Sequence, residues 1–417
     1  VERGLAYPCF CTEEELDKVR AKQEEDKVLT GYYGEYATCR NLSYEEVEAN
    51  IKAGKPYVLR LRSQGSPDKE ITFVDAIKGE IKLPENIHDI VLLKKDGIPT
   101  YHFAHAIDDH LMRTTTVVRG GEWLASAPIH YELFHLLGFK MPAYAHTAHL
   151  MKFDEETGGK RKLSKRKDPE LSLDYYRKDG YHPYTMKVYL LTLLNSNFEE
   201  WHEKFPDKDI NEFPFSVEKM NQSGALFDKD KLHNICKNEL SKLSEEELYD
   251  FLYDWAKENE PENVDKWFGD REKMLQILRL YMGVGAKRRR KDLMYAKQIF
   301  ELISYFFDGE SAEEMDEFKL DEDMVSKILK SYLAKYDHND DNSVWFNKLK
   351  EIADEHGFAS DMKAYKANPE NFKGNVSDIA EAVRIAVTGR ANTPDLWTIV
   401  HIMGEEQMTE RIKKHIK

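Results

Sequence analysis

Thr114-Thr115-Thr116-Val117-Val118-Arg119-Gly120-Gly121-Glu122-Trp123 is the stretch on which the fold turns. Its β-branched run reads as a buried strand, because side chains branched at Cβ suit a pleated surface better than a helix. The glycine pair allows a tight turn, and an apolar helix follows at about residues 128–137, closed by Gly138. Strand, glycine turn and helix in this order place the turn residues at the carboxyl end of a parallel strand, where ligands bind in open α/β sheets. Arg119, Glu122 and Trp123 are therefore expected to face a crevice.

Working outward, the region from Lys55 to about Val118 reads as strands. The signals are residues 57–62, 71–74 and 90–93, the last ahead of an Asp96-Gly97 turn. Residues 13–26 read as a helix with Thr12 as its N-cap. Beyond Leu171 the spacing becomes helical: Leu248, Phe251, Leu252 and Trp255 share one face, as do Met274, Ile277, Leu278 and Tyr281. The last ~180 residues read as all-α. The acidic residues 308–323 read as a surface loop and a helix start.

A chain of 417 residues with 41% hydrophobic content can bury more than one core, which argues for roughly two to four domains. No stretch approaches the ~18 apolar residues of a membrane span, so no membrane partner is expected. The net charge of -15 opposes nonspecific coating of nucleic acid, though local basic clusters can still hold phosphates. Four cysteines, three of them before residue 40, fit a reducing cytoplasm better than a disulfide scaffold; Cys236 stands alone and is expected in the core. The opening residues show neither a signal pattern nor an initiating methionine, so the sequence reads as beginning in mid-protein.

The most specific local signal is Lys160-Arg161-Lys162-Leu163-Ser164-Lys165-Arg166-Lys167, preceded by Gly158-Gly159. Seven positive or hydroxyl-bearing side chains in eight positions can grip a polyphosphate whose charge grows in the transition state. On composition alone, a solvated charge run or a nuclear-localisation-like patch is the stronger reading.

The company of this run carries a resemblance. Lys162-Leu163-Ser164-Lys165-Arg166 resembles the K-L-S-K-R form of the second signature of class I aminoacyl-tRNA synthetases. Pro99-Thr100-Tyr101-His102-Phe103-Ala104, Asp108-Asp109-His110-Leu111-Met112 and Val118-Arg119-Gly120-Gly121-Glu122-Trp123-Leu124 are similar, in order and spacing, to bacterial-type glutamyl-tRNA synthetases. The closing stretch Thr388-Gly389-Arg390-Ala391-Asn392-Thr393-Pro394-Asp395-Leu396, with Met403-Gly404-Glu405-Glu406, resembles the end of that family's helical anticodon-binding domain.

The resemblance implies an α/β plus all-α protein that activates glutamate with ATP and Mg2+ and loads it onto tRNA-Glu. Residues 1–89 would form an acceptor-binding insertion and 90–170 the second half of a Rossmann-like catalytic domain. Residues 171–240 would form a stem-contact domain and 241–417 an α-helical anticodon-binding domain. Tyr101, His105 and Arg119 would line the glutamate pocket, with His105 where relatives often carry asparagine. Glu122, Trp123, Lys165 and Arg166 would contact ATP, and Lys162, Ser164 and Lys165 would serve catalysis, Lys165 foremost. On spacing alone, core packing accounts for Tyr101 and Trp123 as well.

The first class I signature, of H-I-G-H type, does not occur in the sequence. The resemblance therefore implies that on the order of a hundred residues precede Val1 and that this stretch is inactive alone. It also implies a monomer. Two further readings stand beside it: a glutaminyl-tRNA synthetase, which the all-helical tail opposes, and a non-catalytic tRNA-binding synthetase remnant.

Two weaker constellations remain. Cys9, Cys11 and Cys39 supply three soft ligands, so a zinc ion would need Tyr32, Tyr33, Tyr36 or water as its fourth; merely reduced thiols are the alternative. Lys287-Arg288-Arg289-Arg290-Lys291, read as helical, would spray positive charge around a helix and suit an RNA backbone, with Arg390 as a further tRNA contact. A solvated helix face is the alternative.

Overall fold

The strand and helix around Arg119 sit in a sheet whose order explains what surrounds them. In the computed structural model, which describes residues 1–154, 156–307 and 315–417, ten strands form. They are β1 (Ala6–Cys9), β2 (Val58–Leu61), β3 (Glu70–Asp75), β4 (Gly79–Pro84), β5 (Val91–Leu93), β6 (Thr116–Gly120), β7 (Ala143–Thr147), β8 (Leu150–Phe153), β9 (Lys160–Lys162) and β10 (Ala225–Leu226). The chain divides into two compact units, Val1–Leu163 with Leu191–Phe227 and Ser164–Leu190 with Asp228–Lys417, and all ten strands lie in the first.

The first unit holds three sheets, ordered β1-β2-β5, β4-β3-β7-β6 and β10-β8-β9. In the second of these, β6 runs parallel to β7 with Arg119 opposite His146, and β7 runs parallel to β3 where Asp75 meets Tyr144. Three chain-distant residues thus converge near the ends of adjacent strands.

Of residues 114–118, expected to form a buried strand, 116–118 do lie in a strand, β6, but not a buried one. Strand β6 is an edge, paired only with β7 among the described residues, and Val118 is 58% exposed. A strand with a neighbour on one side alone leaves its outer row of backbone N–H and C=O groups unpaired and its flank uncovered.

The first unit also contains α1 (Glu13–Glu25), α2 (Tyr44–Lys52), α3 (Tyr101–Leu111) and α4 (Ala127–Leu137). Thr12 and Ser43 form capping boxes with Glu15 and Glu46, satisfying the first free amides of α1 and α2. Helix α4 ends at Gly138 in the left-handed conformation, as its sequence implies. The strand-dominated reading of 55–118 missed α3. Phe103 and Ala106 recur at helical spacing and pack with Leu133 and Phe134 of α4. Burying Leu133 and Phe134 contributes about 1.5–3 kcal/mol each and outweighs a weak local signal.

In the second unit, helices Glu245–Asn259, Arg271–Met282, Glu322–Lys335, Asn342–His356, Val376–Thr388 and Leu396–Met403 enclose one core that includes Leu248, Ile277, Leu278, Ile328, Leu349, Val383 and Ile399. Ser244, Asp270, Asp321, Asp341, Asn375 and Asp395 each accept a backbone N–H at the start of one of them. Described residues beyond β10 form no strand, in keeping with the all-α reading. Cys236 is fully buried, and its thiol is pushed up to about 11 by that burial. Of the acidic stretch, residues 308–314 lie outside the described residues, and a helix starts at Glu322. No described helix is long and apolar enough to cross a membrane.

Candidate functional site

Arg119 ends β6 half buried, and its guanidinium is held from three sides. Nε donates to His146 Nε2 at 2.9 Å, Nη1 lies 3.1 Å from His130 Nδ1, and Nη2 donates to the Trp123 carbonyl at 3.4 Å. It also stacks over the Tyr144 ring, 4.6 Å from its centroid. A guanidinium can only donate, so both facing imidazole nitrogens must be acceptors. The proton of His146 is then on Nδ1, which meets Asp75 Oδ2 at 2.6 Å, and that of His130 is on Nε2, 3.0 Å from His102 Nδ1.

Burial drives the pKa of His102, His105 and His146 below the ordinary histidine value, with Arg119 adding to the effect. For His130, burial first and then His105 and Arg119 lower it to about 2. These imidazoles are neutral at physiological pH. Asp75 is fully buried, yet hydrogen bonds from His146 and from the Lys78 and Ile77 amides keep its carboxyl below the usual value.

Tyr101 is half exposed over this cluster, its ring 4.5 Å from that of Trp123 and stacked on His105 at 5.9 Å. His105 Nε2 in turn lies 2.8 Å from the Tyr144 hydroxyl, and its Nδ1 lies 2.7 Å from Asp109. Tyr101, His105, Arg119 and Trp123, singled out separately in the sequence, thus come together. Their aromatic rings gather beside the half-buried guanidinium of Arg119.

Glu122 folds back beside Gly120, within 4.0 Å of Lys162 Nζ and 3.4 Å of His149 Nδ1. Lys162 ends the β8–β9 hairpin, where Met151 pairs with Lys162. This brings one lysine of the basic run to the end of β6. Ser164, Lys165 and Arg166 follow in the second unit, in a turn where the Ser164 amide donates to buried Asp168 at 2.8 Å and the Lys165 and Arg166 side chains are exposed.

The three early cysteine sulfurs lie within 4.8 Å of one another. The Tyr32 hydroxyl sits 3.4 Å from Cys9 Sγ and 3.3 Å from Cys11 Sγ, whereas Tyr33 bonds the Leu29 carbonyl and Tyr36 bonds Asp26. Hydrogen bonds from Cys11 and Cys39 hold the Cys9 thiol well below its ordinary range, while Cys39 and Cys9 push the Cys11 thiol up. Three sulfurs this close could supply three of the four ligands that a zinc ion takes.

Residues 287–291 are not helical, which corrects the sequence reading. Helix Arg271–Met282 ends at Gly283 with φ 65°, and the Arg290 amide turns back to the Met282 carbonyl. A Cβ at Gly283 would sit 2.9 Å from the Arg290 side chain, so the loop needs glycine there. Lys287, Arg288 and Arg289 are exposed on this loop. Arg288 and Arg290, with Arg279 and Thr398, line a cavity of about 670 Å³. Arg390 is half buried and donates to the Glu301 carbonyl at 2.7 Å, a bond that stabilises the end of helix Ala296–Ile303.

Comparison with known proteins supplies the frame for this geometry. Residues 1–234 match the family described as tRNA synthetases class I (E and Q), catalytic domain, and residues 246–416 match the anticodon binding domain. The glutamate–tRNA ligase of Acetivibrio thermocellus is 53% identical over 416 residues, covering 99% of this chain and 75% of that protein. The chain belongs to the glutamate–tRNA ligase family.

The family's ligase from Clostridium perfringens strain SM101 is 47% identical over 421 residues, covering 100% of this chain and 76% of its own length. A crystal structure of a glutamate tRNA ligase from Elizabethkingia meningosepticum, in complex with its amino acid, superposes with a TM-score of 0.73 at 26% identity, covering 99% of this chain and 79% of that one. These relatives favour the glutamate reading over the glutaminyl one.

Sequence reasoning missed Asp75, His130, Tyr144 and His146. One signal was available: seven of the fifteen histidines fall between residues 102 and 149.

Proposed function

We propose that this chain supplies the glutamate recess and part of the ATP and tRNA contacts of a glutamate–tRNA ligase. The reaction joins glutamate to ATP as glutamyl-adenylate with release of pyrophosphate. The terminal ribose hydroxyl of tRNA-Glu then takes the glutamyl group. The observation that carries the reading is Arg119, a cation at the carboxyl end of a parallel strand with only neutral groups on its N–H donors. Such a group receives a carboxylate through charge-assisted hydrogen bonds, with Tyr101 and His105 as its wall.

Trp123 offers a face for the nucleotide, and the exposed Lys165 and Arg166 would meet phosphate oxygens as negative charge moves onto pyrophosphate. Lys162 and Glu122 hold the start of that loop against β6. Catalysis consists of positioning and charge stabilisation, so no nucleophile is required. Magnesium brought with the ATP would supply further charge neutralisation beside Lys165 and Arg166. The half-exposed Glu122 carboxylate lies 4.0 Å from Lys162 Nζ at the start of the loop.

Residues 1–89 would meet the acceptor end of the tRNA, with 90–170 completing the catalytic fold, 171–240 the stem contact and 241–417 the anticodon contact. Cys9, Cys11, Cys39 and Tyr32 would hold a structural zinc that fixes the start of α1 to the loop before α2. The exposed loop at 287–291 would hold the tRNA backbone. Arg390, which donates to the Glu301 carbonyl through Nη2, would add a further tRNA contact. Four free cysteines suit a cytoplasmic role in protein biosynthesis.

Charging of tRNA-Glu by the full-length protein tests the reading. Lys165→Ala should lower kcat about 100-fold with little change in the glutamate KM. A kcat unchanged in that variant would remove Lys165 from the reaction.

A further inference from the structure

We propose that Asp75, His146 and His130 are positioning residues for substrate selection: they fix the Arg119 guanidinium through neutral acceptors and so leave its charge for a carboxylate of the substrate. The inference rests on the reading of Arg119 as a glutamate ligand.

A guanidinium carries five N–H donors. His146, His130 and the Trp123 carbonyl use one each on Nε, Nη1 and Nη2, which leaves one N–H on each terminal nitrogen. A carboxylate can accept from the two terminal nitrogens with its two oxygens. The orientation of the guanidinium is thus set before the ligand arrives, and less binding free energy goes into ordering it.

The choice of partner matters as much as the geometry. Arg40, in the same unit, pairs directly with the buried Asp89 carboxylate and donates to the Ser63 carbonyl. That arginine is structural and its charge is cancelled. Arg119 has no carboxylate on its guanidinium among the described residues; the nearest along its chain of bonds is Asp75, one imidazole away. An acid in direct contact would compete with the substrate's own carboxylate, whereas an imidazole lone pair orients without competing. An uncancelled cation gains more from a carboxylate than from a carboxamide, since charge-assisted bonds are roughly twice as strong as neutral ones. The arrangement therefore discriminates glutamate from glutamine as well as binding it.

Asp75 has a specific part in this. Its carboxylate accepts from both the backbone amide and Nδ1 of His146, at 3.1 and 2.6 Å on Oδ2. With Nδ1 protonated, Nε2 is left as a lone pair toward Arg119. If Asp75 became a carboxamide, its NH2 group could donate to Nδ1 and move the proton to Nε2, where it would oppose the Arg119 Nε–H. His130 completes the clamp from α4, a different element from the one that carries His146.

The test measures KM for glutamate and for ATP in tRNA-Glu charging by the full-length protein, alongside tRNA-Glu affinity. Asp75→Asn and His146→Leu should each raise the glutamate KM about tenfold, with the ATP KM and tRNA affinity within about twofold of the parent. His146→Gln, whose amide oxygen can accept from Nε, should stay within about threefold of the parent. The proposal is overturned if Asp75→Asn and His146→Leu leave the glutamate KM unchanged. It is equally overturned if they raise the KM for ATP by the same factor, or if His146→Gln fares no better than His146→Leu. Should Asp75→Asn lose tRNA binding through misfolding, the two His146 variants decide. Arg119→Ala separates the two levels: an unchanged glutamate KM there removes the glutamate reading itself, while a raised KM with unaffected Asp75 and His146 variants removes only the positioning role.

Discussion

Asp75 Oδ2 and His146 Nδ1 meet at 2.6 Å, both side chains fully out of solvent, and this bond decides which imidazole nitrogen faces Arg119. The residues are 71 positions apart in sequence and are brought together by the parallel pairing of β3 with β7. A buried carboxylate without partners would be costly; here the backbone amides of Ile77, Lys78 and His146 share its charge.

The same burial makes the fold acid-sensitive. In the unfolded chain these histidines protonate near pH 6.5, whereas in the fold His102, His105, His130 and His146 resist protonation. Below pH 6.5 the unfolded state therefore binds more protons, and stability, full above that value, falls as pH drops toward the folded values. His130, fully buried, contributes a loss of about 1.4 kcal/mol per pH unit in that window. Thermal melting between pH 7 and about 5 should show a falling midpoint, and His130→Gln should flatten the decline. An unchanged slope in that variant would place the acid sensitivity elsewhere.

Zinc content gives a separate test of the cysteine cluster. Protein prepared without chelator should carry about one zinc per chain, and Cys39→Ser should lose it. Removal of the ion should lower the thermal midpoint, since three sulfurs and Tyr32 would then hold the segment by weak hydrogen bonds alone. Metal at trace level in the unmodified protein would leave the cluster as reduced thiols.

The loop at residues 287–291 predicts a salt signature. Replacing its five cations with neutral side chains should weaken tRNA-Glu binding, and every phosphate that thereby goes without a cation should lower the log–log salt slope by about one. Titrations at several salt concentrations check this. A slope equal to the parent's would show that the loop does not touch the backbone.

Much of the site's frame was legible because its signals are local. The β-branched run before Arg119, the glycine turn and the helix closed by Gly138 follow from neighbouring residues, and so does the cap at Thr12. The rest depends on residues far along the chain. That β6 is an edge is set by strand order, which a single run cannot reveal. Helix α3 packs against α4 through Phe103 and Ala106, whose helical spacing is a local signal that the strand-dominated reading passed over. The basic run looked helical because it follows a helix, yet the left-handed backbone at Gly283 and Gly285 turns it out as a loop. His130 and His146 belong to no contiguous motif, so only the sheet register and the approach of α4 bring them to Arg119.

The most direct measurement is the glutamate KM of full-length Arg119→Ala in the charging of tRNA-Glu at saturating ATP. Without its forked, charge-assisted hydrogen bonds, that KM should rise about 100-fold while the ATP KM stays close to the parent's. A glutamate KM equal to the parent's would contradict the account, because the recess around Arg119 would then not be where glutamate binds.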